Sequence, residues 1–207
     1  MAFIRSTFYF ILLFFGSCSE TPNVEKVPIA KRVVPSQSLL SQKTNEKKKL
    51  SEYEFFKSPI AELIPNVNVY SYDVNTPLFS DYASKKRFVF LPKDSQMEFS
   101  QIENTLLFET GSILIKNFYY PISKNEERII ETRLLIKEKE GWKPLNYIWN
   151  TEQTDASLNY IGADIEVEWM NSHEEIQKVN YSVPNQNQCK NCHISGSEIT
   201  PIGLTVS

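Results

Sequence analysis

From about residue 86 onward, apolar and polar positions alternate with a period of two, as in strands half-buried in a sheet. The alternation predicts strands at 86–91 (KRFVFL), 105–109 (TLLFE), 112–120 (SILIKNFYY), 127–138 (ERIIETRLLIKE), 142–150 (WKPLNYIWN), 164–170 (DIEVEWM) and 176–183 (IQKVNYSV). It is cleanest in the sixth, where Ile165, Val167 and Trp169 alternate with Glu166 and Glu168. Thr110-Gly111 and Glu140-Gly141 are turn pairs between strands and predict hairpins. Before the strands, Ser51 and Glu54 form a capping box ahead of Phe55 and Phe56. It predicts a short helix to about Phe56, limited by Pro59, with a further turn over 61–64. The stretch from Asn66 into the first strand, rich in Asn, Asp and Ser and containing Pro77, predicts irregular chain. Short successive strands with tight turns imply a mainly β (α+β) fold: an antiparallel β-sandwich or partial barrel with a short N-terminal helix.

The first 50 residues read differently. Arg5 precedes an apolar run over 8–15, then Gly16, Ser17 and Cys18. This is the layout of an export signal, too short to span a bilayer, which needs roughly 20 residues. With its cysteine it resembles a bacterial lipoprotein signal, which implies cleavage after residue 17 and acylation of Cys18. Two or three acyl chains hold a protein stably on a membrane. Residues 18–49, polar and without apolar period, read as a flexible tether ending in the solvated run Lys47, Lys48 and Lys49. The expected organisation is a signal peptide (1–17), a tether (18–49), a β-rich domain (50–183) and a C-terminal segment (184–207).

Charge and cysteines narrow the function. A net charge of −3 over 207 residues leaves no basic footprint for nucleic acid. Three cysteines are too few for a disulfide-stapled fold, and with Cys18 assigned to lipid two remain. These are Cys189 and Cys192, which with His193 spell C-x-x-C-H, the attachment signature of c-type haem. Two thiols at this spacing reach the two vinyl groups on one porphyrin, and the adjacent imidazole becomes the proximal ligand of the iron. Attachment takes place after export, in the compartment that the N-terminus specifies. Zinc would need two further ligands, and His173 is the sole other histidine. A thioredoxin-like C-x-x-C wants a βαβ context that is absent. For the second axial position the candidates are Met170 and His173; otherwise the iron is five-coordinate. No G-x-S-x-G, phosphate loop or HExxH occurs. Asp73, Asp81, Glu131 and Asp155 read as salt-bridge or turn-capping residues rather than an acid–base pair.

Residues 50–204 resemble a group of bacterial periplasmic di-haem c-type cytochromes. The resemblance rests on LSEYEFFKSPIAEL (50–63), YDVNTPLFSDYASKKRFVFLP (72–92), TGSILIKNFYYP (110–121), RIIETRLLIKEKEGWKPLNYIWNTEQTDA (128–156) and VPNQNQCKNCH (183–193), followed by Pro201-Ile202-Gly203. It implies a β-rich region feeding a haem region, electron transfer, and a redox partner such as a quinone-dependent sugar dehydrogenase or a second cytochrome. Members of the group continue into a second C-x-x-C-H, whereas this sequence stops at Ser207. The expectation is therefore a truncated or reduced member with one haem c, in the periplasm or at the cell surface. A looser resemblance is to cytochromes that oxidise hydroxylamine through a lysine-cross-linked c haem, which share a Gly-Ser…Lys strand like Gly111, Ser112 and Lys116. It implies that Lys116 is a haem neighbour and that an open distal face takes a small molecule or gas. A haem-free lipoprotein with a binding or structural role is the remaining alternative.

Overall fold

The computed structural model describes residues 46–76, 78–101, 105–195 and 198–201. Cys18, the signal and the tether up to residue 45 lie outside the described residues. Among those described, the strands in chain order are β1 (Val69–Tyr72), β2 (Ser84–Phe90), β3 (Met97–Ser100), β4 (Thr105–Phe108), β5 (Ile113–Ser123), β6 (Glu126–Glu138), β7 (Gly141–Trp149), β8 (Ala156–Asn159), β9 (Ala163–Met170) and β10 (Ile176–Val183). Helix α1 (Gln186–His193) and the two-residue strands β11 (Ile194–Ser195) and β12 (Glu198–Ile199) follow. The fold is mainly β and antiparallel. One six-stranded sheet runs β1-β2-β5-β6-β7-β8, and β3–β4 and β9–β10 form separate hairpins. β1 and β8 are both edges, so the sheet is sandwich-like and not a closed barrel.

The seven expected strands are all present, with ends shifted by at most three residues. β1, β3 and β8, of four residues each, escape the alternation pattern because so short a strand hardly samples its period. Glu140-Gly141 does close the β6–β7 hairpin. Thr110-Gly111 does not close one, since β4 pairs with β3 and β5 with β2 and β6. Gly111, at φ 94°, instead swings the chain between sheets and donates its N–H to the Lys137 carbonyl at 2.8 Å. The expected helix up to Phe56 is a 3-10 turn over Leu50–Tyr53. Its reciprocal cap sits elsewhere: Glu52 accepts from the Lys49 N–H, while Ser51 bonds Asp155 through its N–H and hydroxyl. Burial decides this, because so short a helix is marginal and extended chain at Phe55 and Phe56 buries both rings. The second turn covers Ile60–Glu62, beginning one residue and ending two residues earlier than expected.

Pairing divides the sheet into two unlike faces. On the first, Phe88, Ile115, Leu134 and Leu145 stand in one row across four strands. Segment 50–65 roofs this row with Leu50, Phe55, Phe56 and Leu63, completing an apolar core with Tyr147 and Trp149. Asn117, Thr132 and Trp149 cross this core as one hydrogen-bonded chain, so their buried polar atoms are satisfied. Residues 46–49 also belong to the fold rather than the tether. The Leu158 N–H donates to the Lys48 carbonyl, Lys49 reaches the Ser157 hydroxyl at 2.8 Å, and Glu46 pairs with Lys143 at 2.6 Å. That strap covers the outer edge of β8 and blunts it against stray pairing.

The next residues along the same strands form the opposite row, Arg87–Lys116–Arg133–Asn146, on the second face. One side of this row is apolar, with Phe118, Tyr120 and Ile130 packed on Val167, Tyr181 and Val183 of the β9–β10 hairpin. On its other side Val89 and Leu114 meet Leu106, Phe108 and Trp142. A bulge in β6 places Ile130 out of register, with Phe118 opposite Glu131 and Tyr119 opposite Ile129. The Gln153 side-chain amide satisfies the backbone there, accepting from the Ile129 N–H at 2.7 Å and donating to its carbonyl at 3.0 Å.

Candidate functional site

Helix α1 lies over the polar row of the second face, and local chemistry puts it there. Asn185 and Gln188 cap it reciprocally, each backbone N–H bonded to the other's side-chain oxygen at 2.8–2.9 Å. Gly162 has φ 80°, and a Cβ there would meet the Val183 carbonyl at 2.6 Å, so glycine alone lets this loop close on the chain entering α1. The loop's Tyr160 carbonyl then accepts from the Gln186 N–H. From below, Asn146 on β7 donates to the Pro184 carbonyl at 2.7 Å and accepts a 3.6 Å contact from the Cys189 thiol. Cys189 is thus held buried against the sheet.

After α1 the chain doubles back through β11 and β12, which returns Thr200 to His193. The Thr200 N–H donates to the His193 carbonyl at 2.7 Å. The His193 Nδ1 lies 3.0 Å from the Thr200 carbonyl. A carbonyl only accepts, so Nδ1 carries the proton and Nε2 keeps its lone pair. Burial, helped by the charges of Lys116 and Arg133, outweighs the Thr200 bond and holds the imidazole below its usual range. The ring is therefore neutral at pH 7, as a metal ligand must be.

His193 lines two adjoining cavities. One, about 430 Å³, is walled by Leu135, Pro144, Asn146, Pro184, Cys189 and Arg133. The other, about 240 Å³, is walled by Tyr72, Phe79, Leu114, Leu135 and Pro201, with Arg87, Lys116 and Arg133 along the sheet. Arg87 pairs with Asp73 at 2.8 Å. Arg133 pairs with buried Glu131, stacks 4.2 Å from the Phe118 ring centroid and feels the charge of Cys189. Glu131 also accepts from the Tyr181 hydroxyl at 2.5 Å, and its second oxygen is buried with no partner among the described residues. Lys116 stands between the two arginines without a carboxylate within ion-pair distance among the described residues, its ammonium 4.9 Å from the Phe118 ring centroid. Burial, then Arg133 and Arg87, bring it down to about 8.

Cys189, His193 and Lys116 thus come to one place in the fold; Cys192 is on α1, with its side chain outside what is described. Met170 and His173 do not join them. Met170 ends β9, His173 is exposed in the turn that follows, and neither lines a cavity that His193 lines. Three of the four acidic side chains have structural partners, and the fourth residue is engaged through its backbone. Asp73 pairs with Arg87, Glu131 with Arg133, Asp155 clasps Ser51, and Asp81 accepts the Tyr120 hydroxyl through its carbonyl. Sequence reasoning missed Arg87, Arg133, Asn146 and Thr200. Lys116 breaks the apolar run of β5, whereas Arg87 follows Lys85 and Lys86 and Arg133 follows Glu131 and Thr132, so no local signal marked the arginines.

Among the described residues no three of His, Cys, Asp and Glu converge as a protein-only ion site would require. Haem iron takes four ligands from its porphyrin and needs no such cluster. No described helix is long and apolar enough to cross a membrane. Comparisons of the chain with protein-family models, curated proteins and solved structures gave no match.

Proposed function

We propose that the chain binds one c-type haem through Cys189 and Cys192, takes His193 as proximal ligand, and transfers electrons outside the cytoplasm, held to a membrane by acylated Cys18. One observation carries the reading: His193 has Nδ1 committed to the Thr200 carbonyl and Nε2 left over, beside a cavity that Cys189 also lines. Metal-bound histidines are typically oriented this way, one nitrogen on the metal and the other N–H on a carbonyl or carboxylate. The cavity walls suit a porphyrin, with Leu135, Pro144 and Pro184 as apolar surface. Bound haem supplies an iron that cycles between two oxidation states. The remaining work is done by side chains of this chain. Asn146 aims the Cys189 thiol, Arg133 stands on the same cavity wall, and Thr200 fixes the imidazole tautomer. Cys189 and Cys192 would hold the porphyrin by thioethers, each made by adding S–H across a vinyl C=C, which would need no other reactant. The redox partner is a periplasmic dehydrogenase or a second cytochrome, as the resemblance to the di-haem group implies.

A second reading has an observation of its own. Met170 and His173 do not line the His193 cavities, so among the described residues neither would fill the second axial position, which would leave a bound haem open to a small molecule or gas. One experiment tests both. The full chain is made with a c-haem maturation system and run on a denaturing gel with peroxidase staining. The expected result is a stained band, lost on Cys189→Ala with Cys192→Ala. A reduced band near about 550 nm, unchanged by carbon monoxide, marks the electron carrier. A high-spin spectrum shifted by carbon monoxide marks the open site. An unstained band overturns both readings and leaves a haem-free binding module.

A further inference from the structure

The smaller cavity beside His193 has a cationic floor. The β2–β5–β6 register sets Arg87, Lys116 and Arg133 side by side, so three cations face one cavity of about 240 Å³. Asp73 neutralises Arg87 and Glu131 neutralises Arg133. The central charge, on Lys116, has no carboxylate within ion-pair distance among the described residues and feels Glu131 only from farther off, although burying an unpaired ammonium is costly. Tyr72 lines the same cavity. Donors of one sign, focused in a small apolar-walled space, are the makings of an anion site.

We propose that Arg87, Lys116 and Arg133 form a carboxylate-binding subsite, with Lys116 its central contact. The cavity is too small for a drug-sized ligand but suits a single carboxylate group. That group comes either from a free small monoanion or from the carboxylate edge of the bound haem. The second source rests on the haem reading; the first does not.

The test uses the full chain without haem and then loaded with it. Sodium acetate is compared with sodium chloride at equal ionic strength by thermal unfolding of the haem-free chain. At acetate about tenfold above its dissociation constant, the melting temperature is expected to rise by roughly 3–6 °C relative to chloride. Lys116→Met abolishes the rise and Lys116→Arg restores most of it. Lys178→Met, which alters an exposed pair on the β9–β10 hairpin, keeps it. Equal melting temperatures in acetate and chloride, or a full rise in Lys116→Met, overturn the proposal. In the haem-loaded chain, a persistent acetate effect assigns the site to a free anion. Loss of that effect, with a lower reduction potential in Lys116→Met, assigns it to the haem carboxylates. Loss of the effect with an unchanged potential overturns the subsite in the loaded protein. If no haem attaches, the haem-free measurement still decides the subsite.

Discussion

The two faces of the central sheet are built from alternate residues of the same strands, yet they solve different problems. The first is closed by the N-terminal segment 46–65, and its rows are apolar or hydrogen-bonded throughout. The second is covered by the β9–β10 hairpin, by β4 and by helix α1, and its middle row is Arg87, Lys116, Arg133 and Asn146. Buried cations cost stability unless paired, whereas buried apolar rows supply it. A fold that retains a row of cations therefore draws its stability from the apolar rows, those flanking it as well as those of the first face, and helix α1 lies over the costly row.

Phe56→Ala should break this contrast most severely. Phe56 is buried at 5% exposure and meets the Phe88 ring edge-on at 5.0 Å. Its loss opens a cavity under the N-terminal roof and should cost about 3–5 kcal/mol by denaturant unfolding. A loss under 1 kcal/mol would mean that the first face does not hold the fold.

On the second face the most damaging change should be Glu131→Gln. The amide keeps the shape but withdraws the charge that offsets Arg133, leaving three cations on the row with less compensation. The expected cost is about 2 kcal/mol, read as a lower denaturation midpoint with an unchanged slope. The same change on a solvent-screened pair, such as Glu168 with Lys178, should be close to neutral.

Asn146→Ala separates stability from loading. It removes the bond to the Pro184 carbonyl and the contact to Cys189, for about 1–2 kcal/mol of global stability. Its larger consequence should be local: peroxidase-stained haem per chain should fall well below wild type while the chain stays folded. Undiminished loading would show that Asn146 merely packs.

These sites differ in how far the sequence disclosed them, and the reason is physical. The C-x-x-C-H run is a local pattern of near neighbours, so Cys189, Cys192 and His193 could be put forward as candidates without a fold. The long strands were legible because alternation is also local. The row Arg87–Lys116–Arg133–Asn146 exists only through the register of four strands, and register depends on pairing partners that the sequence does not name. The β6 bulge adds to this, because it turns both Ile130 and Glu131 toward the second face where strict alternation would have split them. Lys116 came into view through a family resemblance, and Thr200 only through the β11–β12 turn that returns it to His193.

The smallest effect tests how the first face is fastened. Glu46 bonds the Lys143 ammonium at 2.6 Å and accepts from the Tyr160 hydroxyl. Burial pushes the Glu46 carboxyl up, but Lys143 and Tyr160 outweigh it and hold the carboxyl below its ordinary value. A carboxyl depressed in the folded state stabilises above its unfolded value, and that stabilisation is lost as pH falls through the folded one. Glu46→Gln should therefore cost a few tenths of a kcal/mol, up to about 1, at pH 7, with the deficit fading below about pH 4. Urea unfolding of both forms from pH 7 to pH 3 reads this directly. A deficit independent of pH would mean that residues 46–49 are held by their backbone bonds to β8 alone. The strap would then be part of the sheet, and the charge pair incidental to the closing of the first face.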